Sequence, residues 1–496
     1  ADVPECDHRR LIPPLLPYLA ARGAITVTKT SKPSGTRTSR AVFSRALRDL
    51  DGATGRQTDQ DSIRFRARAT TLGTPFHAAE AAAAALAAGA DVVRTASAQA
   101  GAGSGNLELD ARHAESSLIS VAYLRFLDPE RGLGARIAGE DRTAAAGFYP
   151  AKTDSWVYLH SGFPHNTQGL LDLLGVKDDR RAVARAIRQR QAIDLENDIA
   201  DAGLCGAMVR SADQWDASST GRLLGSRPVV EIVQLGDSPP EPLPGPAERP
   251  LQGTRVLDLT RVLAGPTCAR TLAAYGADAL RIGAEHLPSV PLFTVDTGLG
   301  KRAASLDLQE AGDAARLRRL VRKADIFSQG YRTGAMDRLG FGVPDVLKLR
   351  PGIIYVSINC YGHDGDWRTR PGWEQLAQAV TGMAARQGRH LKLTEPTLLP
   401  AAVNDYITGY LAALGALVAL ERRARVGGSY WVRVSLARTA MWVRSLGERS
   451  RVHAEPLQAK ELAAFSATTE SAWGPLCYLK PAVHISNASV GWDRPP

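Results

Sequence analysis

Two acidic residues occupy positions where a carboxylate could take part in chemistry. Asp405 lies at the start of the apolar stretch DYITGYLAALGALVALERR, and Glu374 follows Trp373. A carboxylate can act as a nucleophile that divides a difficult transfer into easier steps. The residues alone favour plainer roles. Asp405 or Asn404 would cap a helix, and Glu374 would be an acid in the first turn of another.

The element that must hold Asp405 is a helix with little polar surface. Small residues such as Gly409 and Ala412 would let neighbouring elements approach closely. An apolar stripe at helical spacing follows Asp405 and consists of Ile407, Tyr410, Leu411, Leu414 and Leu417. We therefore predict that this helix is buried.

Strands and helices alternate after residue 250. The strand segments RVLDL at 255–259 and DALRI at 278–282 flank the helical segment GPTCARTLAAYG, and IIYVSINCYG at 353–362 follows a further helix. Such alternation requires crossover connections, which produce parallel sheets. The predicted fold class is α/β, with a doubly wound parallel-sheet large domain and a smaller α+β domain.

Changes of composition along the chain predict its domain boundaries. The segment SPPEPLPGPAERP cannot continue a helix or a central strand, so it reads as a linker. The predicted segments are an irregular N-terminal arm (1–73), a partial large-domain-like helix and strand segment (74–135), a small α+β domain (136–237), a Pro-rich linker (238–250), a large α/β catalytic domain (251–450) and a C-terminal tail (451–496).

Part of the chain repeats faintly. Residues 78–118 contain an Ala-rich helix, a Gly-rich turn and LELDARHAESSL, and residues 411–443 contain a helix, a Gly-Gly turn and VRVSLARTAMWV. In this comparison only the second copy has an Asp405 equivalent. The pattern indicates a duplication with one active half.

The composition narrows the class of protein. Hydrophobic residues make up 44% and charged residues 23% of the 496 residues, as is usual for globular domains. The formal charge of +10 would attract polyanions, which include phosphate-bearing cofactors. Because the basic residues are spread out and aromatic residues make up only 6%, we expect no nucleic-acid partner.

The lengths of apolar runs and the spacing of cysteines indicate the cellular compartment in which the protein works. We find no run of about 18 apolar residues, so we expect no membrane association. Five cysteines lie far apart, at Cys6, Cys205, Cys268, Cys360 and Cys477. This spacing predicts free thiols and neither a CxxC motif nor a disulfide framework, so we expect a cytoplasmic protein.

Six segments in order resemble the family III CoA-transferases, the group that contains formyl-CoA and carnitine CoA-transferases and α-methylacyl-CoA racemase. They are RVLDLTRVLAGPTCARTLAAYGAD, GKRAASLDL, ADIFSQGYRTGAMDRLGFG, PGIIYVSINCYG, RPGWEQLAQAVTGM and AAVNDYITGYLAALGALVALERR. Residues 148–236 also resemble the small domain of that family, which in typical members follows the large-domain segment. Here it precedes that segment, so the chain looks rearranged or built from a truncated tandem.

The resemblance implies roles for both acids. Asp405 would attack a thioester carbonyl to give a mixed anhydride and then an aspartyl-CoA thioester, which an acceptor carboxylate resolves. Its position at a helix start would supply amide donors and a positive dipole that keep it ionised. Glu374 would orient substrate or assist proton movement.

The resemblance also implies a site for coenzyme A, which is expected as a substrate and not as a tightly bound cofactor. No GxGxxG follows Leu259, so no dinucleotide cofactor is indicated. The expected contacts are a loop formed by Val262, Leu263 and Ala264, with Lys301 and Tyr331 near the nucleotide and Arg338 at a phosphate.

The leading hypothesis is therefore CoA transfer from an acyl-CoA to a carboxylic acid. Two alternatives stay open, namely an acyl-CoA racemase or isomerase with an altered base and an inactive homologue that binds CoA. The racemase branch has a histidine where this sequence has Trp373, which makes racemisation the weaker alternative. By resemblance we also expect a homodimer.

Overall fold

The computed structural model describes residues 35–128, 143–243 and 248–496. Its strands are β1 (Ile63–Arg66), β2 (Leu107–Asp110), β3 (Arg125–Phe126), β4 (Gly147–Pro150), β5 (Trp156–Leu159), β6 (Gly206–Met208), β7 (Glu231–Leu235), β8 (Arg255–Leu259), β9 (Asp278–Gly283), β10 (Lys301–Ser305), β11 (Ile326–Gln329), β12 (Ile354–Asn359), β13 (Ser429–Ser435), β14 (Ser466–Thr469), β15 (Leu476–Leu479) and β16 (His484–Ile485).

Helices cover most of the remaining regular structure. The α-helices are Gly35–Thr54, Ala78–Ser97, Ala111–Ser116, Pro164–Leu174, Arg180–Arg188, Ala192–Asp201, Ala212–Asp216, Ser219–Gly225, Ala264–Ala274, Pro291–Gly298, Ala311–Val321, Ala335–Arg338, Val343–Leu349, Glu374–Val380, Met383–His390, Val403–Val426, Leu436–Ser445 and Ala459–Phe465. We call Val403–Val426 the Asp405 helix and Ala78–Ser97 the Glu80 helix.

A seven-stranded sheet organises the large domain, in the order β10-β9-β8-β11-β12-β13-β7. Its neighbours run parallel except for the pair of β13 and β7. The chain passes from β8 outward to β9 and β10 and then returns to β11 on the other side of β8. The predicted α/β class with a large parallel sheet is confirmed, and RVLDL and β8 coincide.

The Asp405 helix is the central helix of the fold. It packs on the helix Ala264–Ala274, on the Glu80 helix and on β13. By length and composition it could cross a membrane, but 94% of its most apolar 18-residue stretch is buried inside the protein. Here it is a core helix, as the apolar stripe predicted.

Three smaller sheets surround this core. The order β4-β5-β6 forms an antiparallel sheet that packs with nearby helices such as Ala192–Asp201, within the segment predicted as a small α+β domain. The other two sheets, β1-β2-β16 and β14-β15-β3, join the early part of the chain to its last residues. The segment called a C-terminal tail thus contributes strands to the fold.

Some sequence-based expectations need correction. We expected irregular structure over residues 1–73, but Gly35–Thr54 is a helix and β1 is a strand; residues 1–34 lie outside the described residues. Cys205, Cys268 and Cys360 are buried free thiols, as predicted. Cys477 is disulfide-bonded, which the wide cysteine spacing did not predict.

Candidate active site

The two candidate carboxylates meet at the N-terminus of the Asp405 helix. Glu374 Oε2 accepts the backbone N–H of Asp405 at 2.7 Å, and Oε1 accepts the backbone N–H of Asn404 at 3.2 Å. The side-chain amides of Asn404 and Gln378 also donate to Oε1, at 3.1 and 2.7 Å. Because a helix leaves its first N–H groups without intrahelical partners, Glu374 supplies the cap of the Asp405 helix.

This arrangement differs from the plain roles that the residues alone favoured. The helix begins after Ala402, which makes no side-chain cap. Neither Asn404 nor Asp405 caps its own helix, since the cap comes from Glu374, about 30 positions earlier. Glu374 does start a helix of its own, Glu374–Val380, but its side chain points to the other helix.

The Asp405 side chain has no hydrogen bond to the described residues and is partly exposed. Burial raises the pKa of Asp405 well above its usual range, and the negative charge of Glu374 adds a smaller effect in the same direction. Burial also raises the pKa of Glu374 to about 7, against the hydrogen bonds from Gln378 and Asn404. Since four donors stabilise the charge of Glu374, the pair first ionises at Glu374.

The expectation that the helix start would keep Asp405 ionised was therefore wrong. The amide donors at that position go to Glu374, and the resulting charge opposes ionisation of Asp405. Two carboxyl groups in one site commonly separate their pKa values in this way. Because the four donors go to Glu374, Asp405 is the member of the pair that releases its proton last.

A glycine brings the Asp405 helix against a second helix start. Gly409 lies one turn after Asp405, and a Cβ there would be 2.5 Å from the carbonyl oxygen of Ala264 and 2.7 Å from Cβ of Thr267. Only glycine permits this approach. The first turn of Ala264–Ala274 therefore adjoins the first turns of the Asp405 helix.

The loop between β8 and Ala264–Ala274 is strained. Val262 has a φ of +68°, a conformation that is a real outlier for a β-branched residue. Such strain costs of order 1–3 kcal/mol and concentrates at functional sites. Leu263 and Ala264 are buried, so Val262 is the member of the predicted loop that lines open space.

That open space is a cleft at the carboxyl ends of β8 and β9. Arg261, Val262 and Arg281 line it. Neither arginine forms an ion pair with a described residue, although Arg261 donates to the carbonyl oxygen of Pro288. Burial lowers the pKa of Arg261, and the charge of Arg281 adds to that effect. Two cations that repel each other in a cleft are arranged to bind an anion.

The other predicted contacts occupy different environments. Tyr331 follows β11, the strand that lies on the other side of β8 from β9. Burial raises the pKa of this tyrosine, which lies near Arg261 and Arg281. Lys301 is buried, with Nζ 2.7 Å from Asp258 Oδ2 and 2.8 Å from the carbonyl oxygen of Pro266.

Lys301 therefore stabilises the helix Ala264–Ala274 from within the protein. Arg338, in contrast, is exposed at the end of Ala335–Arg338. Their roles toward a ligand stay predictions. Arg261 and Arg281 were not among the predicted contacts. Their positions offered a signal, because both lie at the carboxyl ends of adjacent parallel strands, where such sheets bind ligands.

Aromatic rings connect the cleft with the carboxylates. The guanidinium of Arg261 lies 5.0 Å from the ring centre of Phe163, and Phe163 is 5.2 Å from Trp373. His160 packs 4.5 Å from Trp373, and neither of its ring nitrogens has a partner among the described residues. The segment from His160 to Phe163 therefore lies between Arg261 and Trp373, the residue before Glu374, and no sequence signal singled it out.

Comparison with known proteins places this chain in a family. Residues 251–448 match the family described as CoA-transferase family III. An acetyl-coenzyme A transferase of Hypoxylon pulicicidum is 34% identical over 346 residues, which are 65% of this chain and 58% of that protein. An acyl-CoA transferase of Gibberella moniliformis is 30% identical over 390 residues, which are 71% of this chain and 68% of that protein.

A bacterial relative is also similar. The beta subunit of a succinyl-CoA–L-malate CoA-transferase of Chloroflexus aurantiacus is 32% identical over 199 residues, 38% of this chain and 49% of that subunit. The parallel strands of the large sheet, the cationic cleft and the carboxylate pair all lie within the matched residues 251–448. This chain belongs to CoA-transferase family III, as its six ordered segments predicted. It spans between about half and two thirds of the length of these relatives.

Proposed function

We propose that this protein transfers coenzyme A from an acyl-CoA thioester to a carboxylic acid, with Asp405 as the nucleophile. The observation that carries the proposal is the Asp405 carboxyl group itself, which lacks a described partner and lies partly exposed at a helix start. A partly buried acid with a raised pKa and no stabilising cation is costly to the fold, and such groups are concentrated at functional sites. Membership of the family supports the same role.

In the first half-reaction, an ionised Asp405 oxygen attacks the thioester carbonyl carbon. The C–S bond breaks, CoA leaves as the thiolate, and a mixed anhydride remains. The thiolate then attacks the Asp405 carbonyl carbon and releases the donor acid as its carboxylate. An acceptor carboxylate reverses these steps and leaves with CoA, which regenerates Asp405.

Glu374 would set the starting protonation of this site. It holds the first N–H groups of the Asp405 helix and places a negative charge beside Asp405. Asp405 must lose its proton before it can attack, so the reaction depends on pH. A raised pKa also makes the Asp405 carboxylate a stronger base, and thus a better nucleophile once it is ionised.

The cationic cleft would hold the phosphates of CoA. Arg261 and Arg281 offer guanidinium groups that bind phosphate bidentately, and the uncapped first turn of Ala264–Ala274 adds N–H donors. Because that turn adjoins the Asp405 helix at Gly409, the bound thioester would extend toward Asp405 past Val262. The names of the relatives include transferases of acetyl, acyl and succinyl groups, which supports acyl-CoA and carboxylate substrates as classes.

Trapping of the covalent intermediate tests this function. The protein is incubated with acetyl-CoA and hydroxylamine, and peptides are searched by mass spectrometry for a hydroxamate at Asp405. We expect the adduct in the wild type and in Asp366→Asn, which removes an exposed acid, and its loss in Asp405→Asn. CoA binding without any adduct would favour the inactive homologue, and deuterium wash-in at the substrate α-carbon would favour racemisation.

A further inference from the structure

The chain contains two units in which a central helix joins two parallel strands. The first unit comprises β1, the Glu80 helix and β2. The second comprises β12, the Asp405 helix and β13, with the helices Glu374–Val380 and Met383–His390 inserted between β12 and the Asp405 helix. In each unit the two strands pair in parallel, and a helix follows the second strand directly. Both central helices begin 33 residues before that following helix, so the units align without a gap between these points.

This alignment makes Glu80 the counterpart of Asp405. Each is the third residue of its central helix. The comparison by sequence alone found no counterpart, because an alanine-rich stretch can be aligned in several registers. The two central helices also pack on each other, with Gly89 against Leu417.

Each unit pairs with a third strand that comes from the segment after the other unit. β16, which follows the second unit in the chain, pairs antiparallel with β2 of the first unit. β7, which follows the first unit, pairs antiparallel with β13 of the second unit. Each sheet is therefore completed by the segment that comes after the other unit, and the two halves interlock within one polypeptide.

The two counterpart carboxylates have opposite environments. Glu80 is fully buried, with Oε2 2.7 Å from Arg449 Nη2 and 3.4 Å from His77 Nδ1. Burial opposes its ionisation, but the hydrogen bond of His77 and the charge of Arg449 lower the pKa of Glu80 to about 2. Asp405 has no such cation and is partly exposed.

The cation that neutralises Glu80 comes from the other half of the chain. Arg449 follows the second unit, and its backbone N–H donates to the carbonyl oxygen of Pro75 at 2.8 Å, just before the Glu80 helix. A β-bridge between Phe76 and Glu448 fixes the same contact. The segment that holds Arg449 therefore covers the start of the Glu80 helix.

We infer that this chain contains two related carboxylate sites of which only one reacts, so that each polypeptide binds one CoA and forms one acyl adduct, at Asp405, while Arg449 and His77 keep the Glu80 site closed. The inference rests on the proposed function for the identity of the adduct. Glu80 cannot contact a thioester because it has no exposed surface, and its ion pair makes it a poor nucleophile. Two equivalent halves would provide two reactive sites per chain, whereas the structure assigns one.

Counting sites tests the inference. Equilibrium dialysis of the full chain with CoA should give one bound CoA per polypeptide, and trapping with acetyl-CoA and hydroxylamine should add one hydroxamate. In Asp405→Asn the CoA count should stay at one while the adduct count falls to zero. Glu80→Gln should keep one adduct at Asp405.

The outcomes separate the two claims. Two CoA molecules per chain, none, or an adduct on Glu80 would overturn the inference, whatever the fate of Asp405. One CoA with no adduct in the wild type would overturn the proposed nucleophile and leave the single site standing. If Glu80→Gln fails to fold, the Asp405→Asn variant still decides, since any adduct in it must lie elsewhere than Asp405.

Discussion

Glu374 accepts the backbone N–H of Asp405 at 2.7 Å, so one carboxylate of the site caps the helix that presents the other. Glu374 is therefore linked to Asp405 by a hydrogen bond to its main chain as well as by the electrostatic interaction between the two carboxyl groups. A change at Glu374 therefore acts on Asp405 in two ways, through its charge and through the position of the helix start.

Activity should increase with pH as Asp405 loses its proton. The pKa of Asp405 is raised by burial and by the charge of Glu374, so Glu374→Gln should lower it and move the rising limb of the profile to lower pH. The measurement is kcat/KM for an acyl-CoA between about pH 5 and pH 9. A limb that stays in place in Glu374→Gln would show that its charge does not control Asp405.

Asp405→Asn should abolish transfer and stabilise the fold. We expect a fall in kcat of about three orders of magnitude or more, as for other nucleophiles. Loss of a partly buried acid without a partner should increase Tm, because it removes the cost of holding that carboxyl group beside Glu374. Thermal unfolding measures it.

Asp258→Asn is the contrasting variant, because Asp258 is buried in an ion pair with Lys301. Breaking that pair should destabilise the protein by about 3–5 kcal/mol. A decrease in Tm for Asp405→Asn would contradict the view that this acid is kept at a cost in stability.

Removal of the cleft cations should weaken CoA binding. Arg261→Ala and Arg281→Ala should each increase the Kd for CoA about tenfold or more, because a hydrogen bond to a charged group contributes about 1.5–3 kcal/mol. Salt should weaken binding to the wild type more than to the double variant. Arg185→Ala, on the exposed face of Arg180–Arg188, is the control and should bind CoA normally. Unchanged affinity in both cleft variants would place the phosphates elsewhere.

Gly409→Ala should separate the two helix starts of the site. Its Cβ would lie 2.5 Å from the carbonyl oxygen of Ala264, so the helices must move apart. Overpacking of this kind costs about 1–3 kcal/mol, and the displaced Asp405 should reduce kcat more than it changes KM. Gly312→Ala is matched, since it is also helical but has open space at its Cβ. Equal kcat values in the two variants would exclude this positioning role.

The sequence predicted the parts of the fold that depend on local pattern. β8 lies where its strand segment at 255–259 was predicted, and the apolar stripe identified the buried Asp405 helix. The partner of a polar group depends on contacts distant in sequence, so the cap from Glu374 and the pairing of Glu80 with Arg449 could not be read from either segment. For the same reason the pKa of Asp405 was expected in the wrong direction.

The exchanged strands have a consequence for synthesis on the ribosome. β2 cannot gain its outer partner until residues 484–485 have been made, near the end of the chain. Until then one edge of β2 stays open, and unpaired edges invite association with other chains. The first unit should therefore reach its protected state only after β16 has left the ribosome, and truncation before β16 should yield a product that aggregates.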